Sequence, residues 1–366
     1  MFLGVNQDSK SLVKKMNKEK KCEAFEVETA YAESRAAVEV ELYDKKDLTR
    51  LLADAQSDSS SEDWGASEQN KRLADLKKIA ADCVGPKRMV LMGSERIVRN
   101  LDQLALTAPG FAEVIGLFRR EALASMKTGT SMRTLPLILV GPPGIGKTYL
   151  VEKLAAALTT SFASIPMNLI DDVGEITGHS LSWRATRPGL IATTLLGSIT
   201  ASPLILIDEI EKAPRLGHDD RPSDIWHSIF ERQNARSFRD RYYDLPMRAD
   251  HIVWVATAND IAALPPSVVD RTIIMAIAPP ERRDRLKIAA HIYAEFARER
   301  SGLRPSLSAD ALEVIAAHTP RGMMKLLALG LGFAATRGEA NIERRDLERA
   351  QKIMAPASCS MRVGFI

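Results

Sequence analysis

The chain has 366 residues, of which 45% are hydrophobic and 27% are charged, and its formal net charge is +3. This length is sufficient for two or three domains with a sizeable buried core. The composition is that of a soluble globular protein, and so small a net charge gives no argument for nucleic-acid binding.

Three cysteines lie far apart in the sequence, at Cys22, Cys83 and Cys359. Their odd number and wide spacing indicate neither a metal cluster nor a disulfide framework, and they fit a reducing compartment. No apolar run approaches the roughly 18 residues of a membrane span, and no signal-peptide segment follows the Lys-rich start. We therefore expect a cytoplasmic protein that makes no membrane contact.

The N-terminal part of the chain has mixed or helical character. Alternating apolar residues from Val38 to Leu42 predict a strand, and Asp47 to Ala55 reads as a short helix with Asp47 as its N-cap. The serine-rich, acidic stretch from Ser57 to Asp63 cannot bury enough apolar surface to order itself. We therefore predict an N-terminal region over residues 1–55 and a linker over residues 56–68.

Residues 69–132 are predicted to form a helical lead-in. Apolar residues recur at helical spacing between Glu68 and Val84. Two or three further periodic segments lie between Ser94 and Met126, with an interruption at Pro109 and Gly110. This part of the chain therefore leads as helices into the segment that carries the first chemical motif.

A glycine-rich loop follows the apolar run from Leu135 to Val140 and precedes the amphipathic stretch from Tyr149 to Leu158. Its eight residues are Gly141, Pro142, Pro143, Gly144, Ile145, Gly146, Lys147 and Thr148. Strand, loop and helix in this order are the context of a phosphate-binding P-loop, whose backbone N–H groups surround an anion. Lys147 would contact the β- and γ-phosphates, and the Thr148 hydroxyl would bind Mg²⁺. The alternative is an ordinary glycine-rich turn.

Strand-like and helix-like segments alternate after this loop. The expected strands are Ser161 to Met167, Pro203 to Ile207, His251 to Ala258 and Thr272 to Ile277, and the expected helices include Gly189 to Ile199 and Ser223 to Glu231. Such alternation predicts an α/β domain over residues 133–279, with a parallel sheet flanked by helices. Four helical segments between Glu281 and Met354 then predict a small all-α lid over residues 280–355, followed by a tail over residues 356–366.

Two carboxylates follow the aliphatic run from Leu204 to Ile207. Asp208 and Glu209 come at the carboxyl end of the predicted strand, where ligands bind in open α/β sheets. Asp208 can hold Mg²⁺ through its water shell, and Glu209 can polarise the attacking water. Without the P-loop, the same two residues would be interpreted as ordinary acidic residues in the loop that follows a strand.

Three further polar residues follow later elements. Asn259 ends the β-run that starts at Val253, where its amide could orient a water against the γ-phosphate, although a simple Asn turn fits equally well. Arg271 precedes the last predicted strand, and Arg321 opens a lid helix. Isolated arginines are usually solvated surface residues, so only their position relative to the site favours these two.

The segment from Leu135 to about Met354 resembles the ATPase module of the AAA+ superfamily, and within it the Lon family. The resemblance rests on Glu175 to His179, Arg187 to Gly189, Asp208 to Lys212, Glu231 to Asn234, Phe238, Asp240, Tyr243, Ala256 to Asn259, and Asp270 with Arg271. It implies an ATP-hydrolysing enzyme that uses Mg²⁺, with Gly141 to Thr148 as Walker A and Asp208 and Glu209 as Walker B.

The same resemblance assigns the later residues and implies a ring. Asn259 would be sensor 1, Arg321 sensor 2, and Arg271 the arginine finger that acts on the ATP of a neighbouring subunit. A homo-oligomeric ring, most often a hexamer in this superfamily, is therefore expected. The N-terminal region, which in this superfamily usually selects the partner, shows no resemblance up to about residue 85.

Trp183 occupies the place of the aromatic residue in the substrate-gripping pore loop of the family. A large rigid aromatic can wedge against an extended polypeptide at little cost in conformational entropy. The alternative is a tryptophan buried beneath a loop. After Trp183, Arg184 and Ala185 replace the small aliphatic residue and the glycine of the family. In the loop beyond Walker B, the glycine expected in the family is missing around Asp219 to Pro222, and its absence weakens the case for a second pore loop.

Lon proteases continue into a peptidase domain, whereas 12 residues follow Met354 in this sequence. We therefore expect an ATPase that is not a protease in cis. The favoured function is a motor that remodels or unfolds protein and passes it to a separately encoded effector. One alternative is an ATP-controlled assembly switch that translocates no polymer. The other is a motor on nucleic acid, whose phosphate backbone would be contacted by Arg184, Arg187, Arg232, Arg236, Arg239 and Arg241.

Overall fold

The structure is a computed structural model that describes residues 38–58, 66–180, 186–213 and 222–354. The described chain forms two compact units. We call them the sheet unit, with residues up to 105, 112–141 and 148–276, and the helical unit, with residues 106–111, 142–147 and those from 277 onward.

The first described elements are β1 (Glu39–Glu41), α1 (Lys45–Asp58), α2 (Ala66–Ala80) and β2 (Lys87–Met89). β1 and β2 pair antiparallel, with Val40 opposite Arg88. The strand near Val40 was predicted, but its partner was not. The prediction that Asp47 is the N-cap of α1 is wrong, because the helix already begins at Lys45. Asp44 is the N-cap instead, and its carboxylate accepts a hydrogen bond from Lys46 N at 2.7 Å.

The elements that follow in the sheet unit, in chain order, are α3 (Glu95–Thr107, which runs into the helical unit), α4 (Ala112–Thr128), β3 (Leu137–Val140), α5 (Lys147–Ala157), β4 (Phe162–Pro166), α6 (Gly174–Thr177), α7 (Leu190–Gly197), β5 (Leu204–Asp208), α8 (Pro222–Phe230), α9 (Arg232–Ala235), β6 (Phe238–Arg239), β7 (Pro246–Met247), β8 (Val253–Ala258), α10 (Pro266–Val269) and β9 (Ile273–Ala276). Short 3-10 turns cover Pro109–Phe111, Met167–Leu169, Ile210–Lys212 and Ile261–Ala263.

Five of these strands form a parallel sheet in the order β4-β5-β8-β3-β9. β5 and β8 are central and almost entirely buried, which explains why their sequences are continuous apolar runs without alternation. The predicted α/β fold is confirmed, with helices flanking a parallel sheet. The short antiparallel pair of β6 and β7 was not predicted, because strands of two residues leave no periodic signal.

Helices α1 and α2 pack against the same hydrophobic core as the parallel sheet. Leu48, Leu76 and Ile79 belong to one buried cluster with Ile138 of β3 and Ile205 of β5. Apolar burial of this kind is the main favourable contribution to folding. Among the described residues, the helices before the P-loop are therefore part of the core of the sheet unit, whereas the domain boundaries near residues 55 and 69 remain predictions.

Polar contacts also join α2 to the segment that carries β6 and β7. The buried Arg72 guanidinium donates a hydrogen bond to Tyr243 O at 2.9 Å, and Tyr242 OH donates to the Asp75 carboxylate at 2.9 Å. Lys71 Nζ donates to Thr186 O at 3.1 Å. These contacts set the position of α2 more specifically than apolar packing alone would.

The helical unit contains α11 (Arg282–Arg298), α12 (Ala309–Ala316), α13 (Pro320–Thr336) and α14 (Arg344–Met354). Its core includes Tyr293 and Phe296 of α11, Leu326 of α13 and Leu347 of α14. The four helices predicted for this region are confirmed. In the described part of the chain, no helix has the length and apolar character needed to cross a membrane.

Replacing Leu76 by alanine tests the packing of α2 against the core. Leu76 is completely buried, so its truncation leaves a cavity. We expect the free energy of unfolding to fall by about 2–5 kcal/mol in urea titrations followed by circular dichroism. The exposed Lys77 on the same helix provides the control, since Lys77→Ala should change this value by less than about 0.5 kcal/mol. Equal effects of both substitutions would contradict the packing.

Candidate functional site

Polar side chains meet at the carboxyl ends of β5 and β8, next to the start of α5. Thr148 Oγ1 donates a hydrogen bond to Asp208 Oδ1 at 3.1 Å, and Thr257 Oγ1 donates to the same oxygen. Gly141 N donates to Ala258 O at 3.2 Å, which joins the chain leaving β3 to the end of β8. Parallel register thus brings residues from three neighbouring strand ends together, at the edge where ligands bind in such sheets.

Glu209 follows Asp208 with a left-handed backbone, φ 55° and ψ 51°. A non-glycine residue rarely adopts this conformation, which turns its side chain away from the direction of the strand. Glu209 N donates to Thr257 Oγ1 at 2.9 Å, and this bond supports the turn. The carboxylate of Glu209 accepts a hydrogen bond from Lys212 Nζ at 2.7 Å. That hydrogen bond raises the pKa of Lys212.

Asn259 lies immediately after β8 and contacts the 3-10 turn that follows Glu209. Its backbone N and its side-chain Nδ2 both donate to Glu211 Oε1, at 3.1 and 2.9 Å. Asp208, Glu209 and Asn259 therefore lie on two adjacent strand ends that hydrogen bonds join directly. With Thr148, which is hydrogen-bonded to Asp208, four of the predicted site residues are brought together within the sheet unit.

Residues 142–147 of the glycine-rich loop belong to the helical unit. Gly144 and Gly146 have φ values of +79° and +98°, which glycine adopts without strain, and Lys147 Nζ donates to Pro142 O at 3.1 Å. A Cβ added to Gly144 would lie 3.6 Å from Thr319 Oγ1. The loop therefore has the geometry of a backbone cradle, and it lies against the residue that caps α13.

Arg321 lies in the first turn of α13, two residues after that cap. Thr319 Oγ1 accepts a hydrogen bond from Gly322 N at 3.3 Å, and Pro320 occupies the first helical position. Arg321 is exposed. Arg321 therefore follows, by two residues, the cap Thr319 that lies near Gly144 of the loop.

Arg271 lies in the sheet unit just after α10. Its guanidinium donates a hydrogen bond to Ser267 O at 2.9 Å, and its Nε is 3.5 Å from the Glu231 carboxylate. Its side chain is 36% exposed. These contacts hold the arginine in one orientation while part of it faces outward.

The predicted pore-loop residues Trp183 and Arg184 lie outside the described residues, as do residues 219–221 of the second loop. The segments on either side of residues 181–185 are described. His179 N donates to Arg187 O at 3.0 Å, and the buried Asp240 carboxylate accepts hydrogen bonds from Gly189 N at 2.8 Å and from Tyr242 N and Tyr243 N at 3.0 Å. Burial raises the pKa of Asp240.

Glycine is required at position 178 in this arrangement. Its φ is +87°, and an added Cβ would lie 2.6 Å from either Asp240 carboxylate oxygen. Gly178, His179, Arg187 and Gly189 were all parts of motifs in the sequence. The approach of Gly178 and Gly189 to the Asp240 carboxylate is a contact that the motifs alone do not show.

Oxygen ligands suitable for Mg²⁺ are present on the sheet unit. Thr148 Oγ1 and Asp208 Oδ1 face one another, and Mg²⁺ prefers oxygen ligands of this kind while retaining several waters. Among the described residues, no group of three or more His, Cys, Asp or Glu side chains could hold a metal ion by itself. The donors fit an ion that is held jointly by one hydroxyl, one carboxylate and nucleotide phosphates.

Two residues of this site were quoted in motifs but given no role by the sequence. Thr257 is 1% exposed in β8, and its hydroxyl joins Asp208 to the Glu209 backbone. A threonine in a wholly buried apolar strand is the signal that could have identified it, because a buried hydroxyl requires partners. Glu211 gave no such signal, since the turn that follows β5 commonly contains charged residues.

Comparison with known proteins identifies the class to which this site belongs. Residues 137–278 match the family model described as ATPase family associated with various cellular activities (AAA). The chain therefore carries an AAA ATPase domain. The matched residues include the loop, the two carboxylates, Asn259 and Arg271.

The AAA region is similar to the corresponding region of Lon proteases. The chain is 34% identical over 180 residues to the mitochondrial Lon protease homologue of Aspergillus fumigatus, covering 48% of this chain and 16% of that protein. It is 31% identical over 231 residues to Lon protease 1 of Syntrophotalea carbinolica, covering 62% of this chain and 26% of that protein. The chain thus spans about a sixth to a quarter of these relatives.

Among solved structures, a RuvB mutant of Thermotoga maritima aligns with a TM-score of 0.46 and 16% identity, covering 66% of this chain and 69% of that chain. This degree of likeness supports no functional argument. The class rests instead on the family match and on the residues at the strand ends.

Substituting Lys147 tests the predicted phosphate contact. Lys147→Ala removes the cation nearest to the predicted β- and γ-phosphates, so we expect ATP affinity to fall by at least about tenfold in titrations with a fluorescent ATP analogue. Lys127→Ala on the exposed surface of α4 provides a control that should retain the original affinity. Unchanged affinity in Lys147→Ala would contradict the P-loop assignment.

Proposed function

We propose that the protein is a Mg²⁺-dependent ATPase that acts as a protein-remodelling or unfolding motor in a homo-oligomeric ring. The observation that carries the proposal is the cluster of Thr148, Asp208, Glu209 and Asn259 at adjacent strand ends. This cluster combines an oxygen site for Mg²⁺ with a carboxylate and an amide that can act on a water. The Gly141–Ala258 hydrogen bond, which joins the first residue of the glycine-rich loop to the end of β8, supports the proposal.

Each residue has a separate role in the proposed reaction. The backbone N–H groups of Gly144, Ile145 and Gly146 and the Lys147 ammonium would bind phosphate oxygens, whereas Pro142 and Pro143 have no N–H to donate. Thr148 would hold Mg²⁺ directly and Asp208 through water, and the ion would neutralise charge on the phosphates. Glu209 takes a proton from the attacking water while the Asn259 amide orients that water. The Glu209–Lys212 pair is partly exposed, so its exchange for a water contact costs little.

Two arginines complete the proposed site. Arg271 would reach the ATP of the next subunit, and its outward exposure with two internal contacts supports a fixed, presented guanidinium. Arg321 would contact nucleotide bound to its own chain, which the contact between Gly144 and Thr319 supports. A site that needs a residue from a neighbour requires a ring or a comparable assembly, and we propose a hexamer.

Protein is favoured over nucleic acid as the polymer on which the motor acts. Of the arginines that could contact a phosphate backbone, Arg187 pairs with Glu175 at 3.2 Å, and Arg239 pairs with Asp244 at 2.8 Å. Arg232 and Arg236 lie 3.8 and 3.4 Å from the Asp250 carboxylate. Carboxylates beside these arginines would repel phosphate, so the basic residues favour a surface of mixed charge.

The similarity to Lon proteases covers the AAA region of this chain, which supports ATP-driven activity. We therefore propose that this chain does not itself cleave peptide bonds and that protein passes to a separately encoded effector. Trp183 and Arg184 would grip the protein, as the family resemblance implies. We propose a cytoplasmic location for this activity.

ATPase stimulation distinguishes the three candidate functions. Unfolded casein should stimulate hydrolysis several-fold if the protein remodels protein, DNA should do so if it acts on nucleic acid, and neither should if it is a switch. Trp183→Ala should abolish the casein effect while basal hydrolysis stays within about twofold, because the aromatic grip is not part of the ATP site. Glu209→Gln, which lacks the proposed base, gives the zero-hydrolysis control. Cleavage of casein would contradict the absence of protease activity.

Mixed rings test the role of Arg271 in trans. Arg271→Ala and Lys147→Ala subunits should each be inactive alone, because each lacks one half of every site. Mixing them creates sites with an intact loop on one side and an intact arginine on the other, so ATP hydrolysis should partly return. Co-purification through two different affinity tags verifies assembly. No return of activity in verified mixed rings would count against action in trans.

A further inference from the structure

Glu211 contacts Asn259 through two hydrogen bonds to one oxygen. Glu211 Oε1 accepts from the backbone N of Asn259 at 3.1 Å and from its side-chain Nδ2 at 2.9 Å. The two residues are 48 positions apart, so their contact is a product of the fold. Because the bonds reach both the backbone and the side chain of Asn259, they restrict the rotation of the side chain as well as its position.

The contact also determines which atoms of the amide face the acceptor. One N–H of Nδ2 points toward the Glu211 carboxylate, which orients Oδ1 and the second N–H of the amide. An amide that must orient a water benefits from such preorganisation, because small angular errors weaken a hydrogen bond steeply. A charged acceptor holds the amide more firmly than a neutral acceptor would.

Burial of the Glu211 carboxylate costs folding free energy, and its hydrogen bonds to Asn259 offset that cost only in part. Its Oε2 is buried and, within the described part of the chain, has no hydrogen-bond partner. A buried carboxylate oxygen without a donor destabilises the folded state. Such arrangements are concentrated at functional sites, where the surrounding structure maintains them.

The turn that carries Glu211 is attached to both strand ends. It follows Glu209, whose backbone N donates to Thr257 Oγ1 of β8 at 2.9 Å, and Lys212 in the same turn contacts the Glu209 carboxylate. Two neighbouring residues of one turn therefore contact the proposed base and the proposed water-orienting amide separately. This arrangement fixes Asn259 relative to Glu209.

We propose that Glu211 is a positioning residue for ATP hydrolysis, which acts by orienting the Asn259 amide. This proposal rests on the proposed ATPase function. It assigns a role to Glu211, the second residue after the Walker B carboxylates Asp208 and Glu209. Because the proposed role of Glu211 is exerted through Asn259, its removal should affect the rate of hydrolysis and not the binding of ATP.

The test compares Glu211→Met with Glu211→Gln in the full chain. Methionine keeps an unbranched side chain of similar volume but lacks the carboxylate acceptor, whereas glutamine retains an oxygen at Oε1. We expect kcat to fall about 10- to 100-fold in Glu211→Met with KM for ATP within about twofold. Glu211→Gln should retain most of the original kcat. Glu113→Ala, on the exposed surface of α4, controls for loss of a carboxylate elsewhere.

A double-mutant cycle shows whether Glu211 acts through Asn259. If it does, Glu211→Met should add less than about twofold to the loss of kcat already caused by Asn259→Ala. Independent, multiplicative effects would overturn the proposal, as would an unchanged kcat in Glu211→Met or an equal rise in KM. Thermal unfolding of every variant, with Glu211→Ala as a second truncation, checks the fold. Failure of both truncations to fold cooperatively would assign Glu211 to folding alone and overturn the proposal.

The experiments distinguish failure of the positioning role of Glu211 from failure of the proposed ATPase function. If the unaltered protein hydrolyses ATP and Glu211→Met does so equally well, only the positioning role fails. If the unaltered protein binds ATP but does not hydrolyse it with Mg²⁺, with or without casein, the proposed function fails and the role of Glu211 fails with it.

Discussion

The hydrogen bond between Thr148 and Asp208 depends on the order of strands in the sheet. β3 ends in the glycine-rich loop that leads to Thr148, and β5 ends at Asp208, but the two strands are not neighbours, because β8 lies between them. Thr257 of β8 contacts the same Asp208 oxygen and so fills the space between the two ends. The polar contacts of the proposed site that join distant residues of the sheet unit, such as Thr148 with Asp208 and Glu209 with Thr257, depend on this parallel arrangement.

Much of this architecture could be predicted from the sequence, because its main elements have strong local signals. The continuous aliphatic runs of β5 and β8 indicate buried strands, and the glycines before Lys147 indicate a phosphate loop by composition and spacing. The helices from Arg282 onward follow from apolar periodicity. These signals are local, so tertiary contacts refine them by one or two residues at each end and do not replace them.

The contacts between distant residues could not be predicted in the same way. Glu211 has no local feature that indicates Asn259 as its partner, and Asp240 gathers three backbone N–H groups from two segments. The sequence also gives no signal for the pairing of β1 with β2, because each strand has three residues and their sequence separation is large. Side-chain networks of this kind depend on packing geometry, and a single sequence carries that geometry only implicitly.

The attachment of α2 to the sheet unit has a practical consequence for where the chain can be shortened. The match to the AAA family begins at residue 137, and a fragment designed from that match would omit α1, α2 and β2. Such a fragment would leave the surfaces that pack against Leu76 and Ile79 open to water, and it would remove the donor that Arg72 provides to Tyr243 O. Exposed apolar surface of that extent promotes association between molecules. We therefore expect a fragment to fold well only if it starts before the first residue of the family match and includes α1 and α2.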